Sequence, residues 1–273
     1  MQEAKRILVY VRSVSGGAGK NAVKYANILA EAGHHVVLAA GRAPEAEQFG
    51  LRGDLVPLEV LGTRRTIKIV PRLRRVITAQ RPDICLVVDL PNLVALARAL
   101  PSSGQSPTVV LREALYTWER TEMRSLPSRL YKRWLFRRAY ARADRVIALT
   151  EGMARQIEQH WGVPAERITV IPNAVPLPDT PPERPAREGP PTLLCVARLT
   201  PQKNVGLLLE ALARVRRHRD VRLRIAGDGR ERRALERQAA RLGIAGAVTF
   251  LGHVQDVAAE YRRADLLVLP SRW

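Results

Sequence analysis

Between Pro172 and Pro191 the chain reads Pro-Asn-Ala-Val-Pro-Leu-Pro-Asp-Thr-Pro-Pro-Glu-Arg-Pro-Ala-Arg-Glu-Gly-Pro-Pro. Each proline fixes φ and removes a backbone donor, so neither a continuous helix nor a central strand can run through this stretch. It divides the 273 residues into two parts, and the same pattern stands on either side of it. Short apolar runs alternate with helix-period segments, the signature of parallel α/β domains. Before the break the runs are Ile7–Val11, Val36–Ala40, Ile84–Val88, Thr108–Leu111 and Val146–Leu149, with helices expected around Ala22–Ala32 and Ile69–Gln80. After it they are Leu193–Ala197, Arg222–Ala226, Val248–Leu251 and Leu266–Leu269. The expected organisation is a first domain over 1–172, a linker over 173–191 and a second domain over 192–273. Both domains read as Rossmann-like, doubly wound parallel sheets facing a cleft, with ligands at the carboxyl ends of the strands.

Composition narrows the function classes. The formal charge of +19 is spread along the chain, with 27 Lys and Arg against 16 Asp and Glu in residues 1–180 and 18 against 10 beyond. A field of that sign favours anionic partners in general, from nucleic acid to membrane surfaces and phosphate-bearing substrates. The two cysteines, Cys85 and Cys195, lie inside apolar runs without metal-ligand spacing, and read as buried free thiols in a reducing compartment. No signal-peptide pattern and no apolar run of about 20 residues is present, so the expectation is a cytoplasmic protein.

Two loops carry candidate chemistry. Ser15-Gly16-Gly17-Ala18-Gly19-Lys20 follows the first strand and precedes a helix, where backbone N–H groups and the helix dipole can receive an anion. A Walker A loop needs glycine at 14 and Ser or Thr at 21, where the chain has Val14 and Asn21. Gly17, Gly19 and Ala22 match a dinucleotide fingerprint better, but no acidic residue ends the second strand. That leaves an NADP reading through Arg42, or a tight turn without a ligand. In the second domain, Arg198 and Lys203 follow the strand ending at Ala197 and precede an apolar helix. A fork and a point charge together suit a diphosphate, and two surface cations on a solvated loop are the alternative.

The order of further segments tips the balance between these readings. The Gly16-Gly17 turn is followed by Gly33-His34-His35-Val36, Arg81-Pro82-Asp83 and Ala143-Asp144-Arg145-Val146-Ile147-Ala148-Leu149-Thr150. Next come Ile168-Thr169-Val170-Ile171-Pro172-Asn173-Ala174-Val175, then Val196-Ala197-Arg198-Leu199 with Lys203, and Ile225-Ala226-Gly227-Asp228-Gly229. Phe250-Leu251-Gly252-His253 and Ala264-Asp265-Leu266-Leu267-Val268-Leu269-Pro270-Ser271 complete the series. This order and spacing resembles family 4 of the retaining, nucleotide-sugar-dependent glycosyltransferases of the GT-B fold, over essentially the whole chain.

The resemblance implies a nucleotide-sugar donor of UDP or GDP type in the second domain. Arg198 and Lys203 would act on the diphosphate as electrostatic catalysts, with Gly227, His253 and Val254 lining the donor site. Gly16 and Gly17 would approach the same diphosphate from the first domain, where a side chain would obstruct closure. Asn173 would orient the hinge. The acceptor, a glycan or a lipid-linked sugar, would enter on the first domain's side. Many relatives place a histidine there, yet Val88-Asp89-Leu90-Pro91-Asn92 and Leu111-Arg112-Glu113-Ala114 contain none. Asp89, Arg112 and Glu113 are the acceptor-side candidates, the last two as a loose match to a Ser-Glu-Arg-Asn loop. No metal, no cofactor and no nucleic-acid partner is implied. Retention of configuration and a place in surface polysaccharide or glycolipid synthesis follow from the resemblance, while peripheral attachment to the inner face of the cell membrane is one reading of a basic amphipathic stretch. Cations at 129, 132, 133, 137, 138 and 142 interleave with Leu130, Tyr131 and Trp134 at helical spacing, which suits an anionic membrane or a core-packed helix with a solvated face.

The chain ends Pro270-Ser271-Arg272-Trp273, where the family continues into a Glu-Gly-Phe-Gly loop. The expectation is a second domain that is incomplete here, with an inactive chain and an apolar edge strand at Leu266–Leu269.

Overall fold

The computed structural model describes residues 3–63, 65–101, 106–113, 126–174 and 189–272. They form two compact units, Met1–Ala174 and Val175–Trp273. The division falls within the expected linker, whose residues 175–188 lie outside the described residues.

The first unit holds seven parallel strands in the order β3-β2-β1-β4-β5-β6-β7. They are β1 (Arg6–Val11), β2 (His35–Ala40), β3 (Leu58–Val60), β4 (Ile84–Val88), β5 (Thr108–Arg112), β6 (Arg145–Ala148) and β7 (Ile168–Val170). Helices α1 (Gly16–Glu31), α2 (Thr66–Gln80), α3 (Leu90–Ala99), α4 (Leu126–Tyr140) and α5 (Glu151–Gln156) connect them. Both faces of the sheet are covered, which is why its strands read as unbroken apolar runs. Ile7, Val9, Val11, Leu86 and Val88 pack against Ala22, Val23 and Ala26 of α1. Leu8, Tyr10, Cys85, Val87, Val109 and Leu111 pack on the opposite face with Ile69 and Leu73 of α2 and Leu90 and Leu93 of α3.

The second unit repeats the plan with four parallel strands in the order β10-β9-β8-β11. These are β8 (Thr192–Val196), β9 (Arg222–Ala226), β10 (Val248–Gly252) and β11 (Leu266–Leu267), joined through α6 (Val205–Val215), α7 (Arg232–Arg241) and α8 (Val257–Arg263). Its core gathers Cys195, Leu223 and Ile225 with Leu208, Leu209 and Leu212 of α6. Burial pushes the Cys195 thiol up to about 11 and the Cys85 thiol up to about 12, so both stay protonated.

Three aspartates close the amino ends of these sheets in the same way. Asp83, immediately before β4, donates its N–H to Arg6 O (2.8 Å) and accepts the Arg6 N–H on its carboxylate (2.8 Å). Asp144 before β6 makes the same two bonds with Val109 (2.8 and 2.7 Å), and Asp265 before β11 with Thr192 (2.9 and 2.8 Å). Arg6 holds the Asp83 carboxyl below its usual range, at about 2.

Several sequence expectations shift. Helix α1 begins at Gly16, so the glycine turn is the first turn of the helix. Strands β3 and β7, three residues each, were not expected, because runs so short carry no periodicity. The expected strand Leu266–Leu269 pairs with β8 only at Leu266 and Leu267, although Val268 N still bonds Leu194 O at 2.8 Å. Leu266 and Leu267 are exposed at this edge of the sheet.

Glu260 of α8 is buried in the second unit, and it accepts from Arg224 Nε of β9 at 2.8 Å and from Arg263 Nη1 at 3.1 Å. The bond from Arg224, ahead of its charge and of Arg263, holds the Glu260 carboxyl below the ordinary glutamate value. A depressed acid contributes stability that is complete above its unfolded value of about 4.3 and is lost as pH falls through the lower folded value. Glu260→Gln is expected to destabilise the second unit at pH 7 by about 1–3 kcal/mol. It should also reduce the loss of stability below pH 4, both read from urea melts across pH. A variant as stable as the parent at pH 7 would show that the pair holds nothing.

Candidate functional site

In a doubly wound sheet the connections from two adjacent strands leave to opposite sides, and a crevice opens at the carboxyl ends there. In the first unit that point lies between β1 and β4, since β1 leads away to β2 while β4 leads to β5. Arg12 follows β1, and its Nε donates to Asn92 Oδ1 at 3.0 Å, while Asn92 Nδ2 reaches back to Val88 O at the end of β4. Asp89 joins β4 to α3 with φ of 72° and ψ of 140°, an unusual conformation for a residue with a side chain. Such strain costs about 1–3 kcal/mol and persists where surrounding structure enforces it. Here the Asp89 N–H is held by Arg112 O at 3.0 Å, and Asp89 O receives Asn92 N at 3.0 Å.

Arg112 and Glu113, at the end of β5, are each 1% exposed. Their side chains make separate contacts. Arg112 donates from Nη2 to Asn173 Oδ1 and stands 5.6 Å from the centre of the Tyr25 ring of α1. Glu113 accepts from Tyr140 Oη of α4 at 3.0 Å. Burial first, and the Glu113 charge second, push the Tyr140 phenol well above its usual value and keep it a neutral donor. Lys24 Nζ donates to Ala174 O at 3.1 Å, so the chain beyond β7 is tied to α1 as well as to β5. Arg12, Asn92, Tyr25 and Tyr140 were not anticipated as site residues; each belongs to an ordinary apolar or surface pattern. Ala114, the last residue of the expected acceptor loop, lies outside the described residues.

The glycine turn divides into two kinds of position. A Cβ added at Gly16 or Gly17 would meet nothing within 4 Å, although Gly16 has φ of +58°. At Gly19 a Cβ would stand 2.7 Å from Val14 backbone carbon, so this glycine is required by helix-to-strand packing. The helix N-terminus expected to receive an external anion already faces a carboxylate, with Gly16 N donating to Glu45 Oε2 at 3.3 Å.

In the second unit the reversal lies between β8 and β11. Arg198, exposed, follows β8; Lys203, half-buried, ends a 3-10 turn over Pro201–Lys203. Asn204, at φ of 51°, then begins α6. Lys203 is close enough to β8 for its charge to oppose part of the upward push on the Cys195 thiol. The loop Gly227-Asp228-Gly229 lies directly against this segment. Leu199 N bonds Asp228 O (2.9 Å), Ala197 N bonds Ala226 O (3.0 Å), and Gly227 N bonds Gly252 O (2.6 Å). A Cβ at Gly227 would overlap Ala197 O, and one at Gly229 would overlap Leu199 O. His253, exposed, and Val254, half-buried, follow the β10 end at Gly252. Arg198, Lys203, Gly227 and His253 thus all stand at the carboxyl ends of β8, β9 and β10. Among the described residues no three His, Cys, Asp or Glu side chains group to hold a metal ion.

Residues 15–178 match the model of Glycosyltransferase Family 4, and residues 178–273 that of Glycosyl transferases group 1. The chain belongs to glycosyltransferase family 4. Among family relatives, the D-inositol 3-phosphate glycosyltransferase of Geodermatophilus obscurus is 41% identical over 152 residues, 48% of this chain and 34% of that protein. The matched stretch is thus about a third of that relative's length. The sucrose-phosphate synthase of Thermosynechococcus elongatus superposes with a TM-score of 0.79 at 15% identity, over 98% of this chain and 76% of that one. Anabaena HepE in complex with UDP and glucose does so with a TM-score of 0.72 at 21% identity, over 98% and 74%. These likenesses establish the two-sheet GT-B type of fold.

Family loops with glycine in them therefore differ in what the glycine does. Gly227→Ala is expected to destabilise the second unit by about 3 kcal/mol or more, through the overlap with Ala197 O at positive φ. Gly17→Ala should leave stability unchanged or raise it by up to about 1 kcal/mol, since its Cβ meets open space on a helix. Thermal and urea melts of both variants check this, and equal losses would contradict it.

Proposed function

We propose that this family 4 chain serves transfer of a sugar from a UDP- or GDP-type nucleotide sugar to a glycan or lipid-linked acceptor, with retention, in surface polysaccharide or glycolipid synthesis. The observation that supports the reading is that Arg198 and Lys203 both lie in the segment that follows β8, at the reversal point of the second sheet, with the Gly227–Gly229 loop packed on that segment's backbone. In glycosyl transfer the departing nucleoside diphosphate gains negative charge as its bond to the anomeric carbon breaks. Fixed cations lower the barrier by stabilising that charge. Arg198 supplies a planar fork and Lys203 a compact point charge, without a metal ion. Asp89, Arg112 and Glu113 lie at the carboxyl edge of the other sheet, where the acceptor is read.

A non-catalytic glycan- or membrane-binding module and an NADP enzyme are the competing readings. Isothermal titration of UDP, GDP and NADP into the 273-residue chain separates them. The expected result is binding of one nucleoside diphosphate, weakened at least about tenfold in Arg198→Gln/Lys203→Gln. Tighter binding of NADP than of either diphosphate, or diphosphate binding indifferent to both substitutions, would overturn the reading.

A specific observation favours attachment to an anionic membrane surface. The carboxyl-terminal half of α4 is anchored by Phe136 and Tyr140 against Trp161, with ring centres 5.7 and 5.8 Å apart. The preceding turns leave Leu130, Tyr131 and Trp134 exposed among cations, with Arg138 5.0 Å from the Trp134 ring centre. Apolar side chains beside basic ones suit the headgroup boundary of anionic lipid. No helix among the described residues is long and apolar enough to cross a membrane. Co-sedimentation with phosphatidylglycerol vesicles should fall several-fold in Tyr131→Ala/Trp134→Ala and with rising salt. Equal sedimentation of parent and variant would rule this surface out.

A further inference from the structure

A groove runs between α3 and α4 of the first unit, and the transfer of a sugar makes no use of it. It measures about 440 Å³, within the roughly 300–1,000 Å³ of small-molecule sites. Its floor is apolar, made by Val94 and Ala97 from α3 and by Leu135 and Ala139 from α4. Its rim is basic. Arg98 lies in the last turn of α3, Arg138 in the last turn of α4, and Arg142 follows that helix. All three are exposed. Trp134 completes the wall, with the Arg138 guanidinium 5.0 Å from its ring centre, a distance at which the ring attracts the cation.

Charge and position together name the occupant. Helices α3 and α4 return the chain from the carboxyl edge of the sheet to its amino edge, so the three arginines lie toward the edge opposite Asp89, Arg112 and Glu113. The carbonyls that end α3 are taken by Arg74, which donates to Arg98 O at 2.9 Å and to Ala99 O at 3.3 Å. Asp144, the acid closest in sequence to Arg142, holds the Val109 N–H at 2.7 Å. Three guanidinium groups around an apolar floor complement an anion carried on an apolar body. Trp134 also belongs to the exposed face with Leu130 and Tyr131, so the groove is continuous with the surface that suits anionic lipid. We propose that the groove seats one anionic phospholipid of the membrane surface. The phosphodiester lies on Arg98, Arg138 and Arg142, and the glycerol backbone and first acyl carbons lie on the apolar floor. Guanidinium forks bind phosphate oxygens in pairs, and their aliphatic stems extend the apolar wall. The inference rests on the membrane reading and deepens it, from a general attraction to a defined site for one lipid.

The test is calorimetric titration of monomeric dihexanoyl phosphatidylglycerol, kept below its micelle threshold, into the 273-residue chain. Saturable binding is expected, weakened at least about tenfold in Arg98→Gln/Arg142→Gln. Arg214→Gln/Arg217→Gln removes the same charge from exposed positions in the second unit and is expected to bind as the parent does. Ala97→Phe fills the groove while keeping every cation, and is expected to weaken binding to a similar degree. Should Ala97→Phe fail to fold by circular dichroism, the pair of exposed arginines decides alone. Absence of binding, or equal weakening in both double arginine variants, overturns the inference. So does binding of dihexanoyl phosphatidylcholine or of glycerol phosphate as tight as that of dihexanoyl phosphatidylglycerol, since the site must read both the charge and the apolar body. Tighter binding of hexaglutamate than of the lipid would give the groove to an acidic peptide and overturn it as well. Vesicle sedimentation that depends on Tyr131 and Trp134, without binding of the monomeric lipid, would sink the groove and leave the membrane surface standing. Failure of that surface shows instead as equal sedimentation of parent and Tyr131→Ala/Trp134→Ala, which the monomer titration does not measure.

Discussion

The arrangement at the carboxyl edges depends on how the amino edges are closed. A strand in a parallel sheet needs a level start against its neighbour, since a slip of one residue would turn every core side chain to the other face. Asp83, Asp144 and Asp265 impose that start on β4, β6 and β11, each through a backbone bond and a carboxylate bond to the neighbouring strand. The β4·β5 register then sets Val88 opposite Arg112, so that Asp89 follows β4 beside the end of β5. The three aspartates thus act at the end of the sheet opposite to the candidate site.

The two sheets use their glycines and cations differently. In the second, Gly227 and Gly229 allow one loop to lie on the backbone of another, and the cations stand free of that contact on Arg198 and Lys203. Close backbone packing of this kind leaves the loop little room to move. In the first, the side chains are tied to partners within the unit: Arg12 to Asn92, Arg112 to Asn173, and Glu113 to Tyr140.

The fold was legible because its signals are local. Apolar runs of five residues buried on both faces, glycine ending a helix and prolines forbidding structure each act within a few positions. The runs at Ile84–Val88 and Arg222–Ala226 coincide with strands to the residue. Strands β3 and β7 escaped because they are three residues long, and their order in the sheet comes from neighbours far away in the chain. Arg198 and Lys203 were legible as cations after a strand, for the same local reason.

What the sequence by itself determined is therefore the two-part α/β plan, the family motifs and the residue types at the strand ends. Only the tertiary structure decided what those residues face. It turned Glu45 onto the start of α1, seated Glu113 on Tyr140, and buried Arg112 with two of its nitrogens open among the described residues. The physical reason is range. Strand and helix signals are fixed by neighbours within one or two turns, whereas Glu45 lies 29 residues from Gly16 and Asn173 lies 61 from Arg112. Such partners meet only when the strand order brings distant segments to one edge.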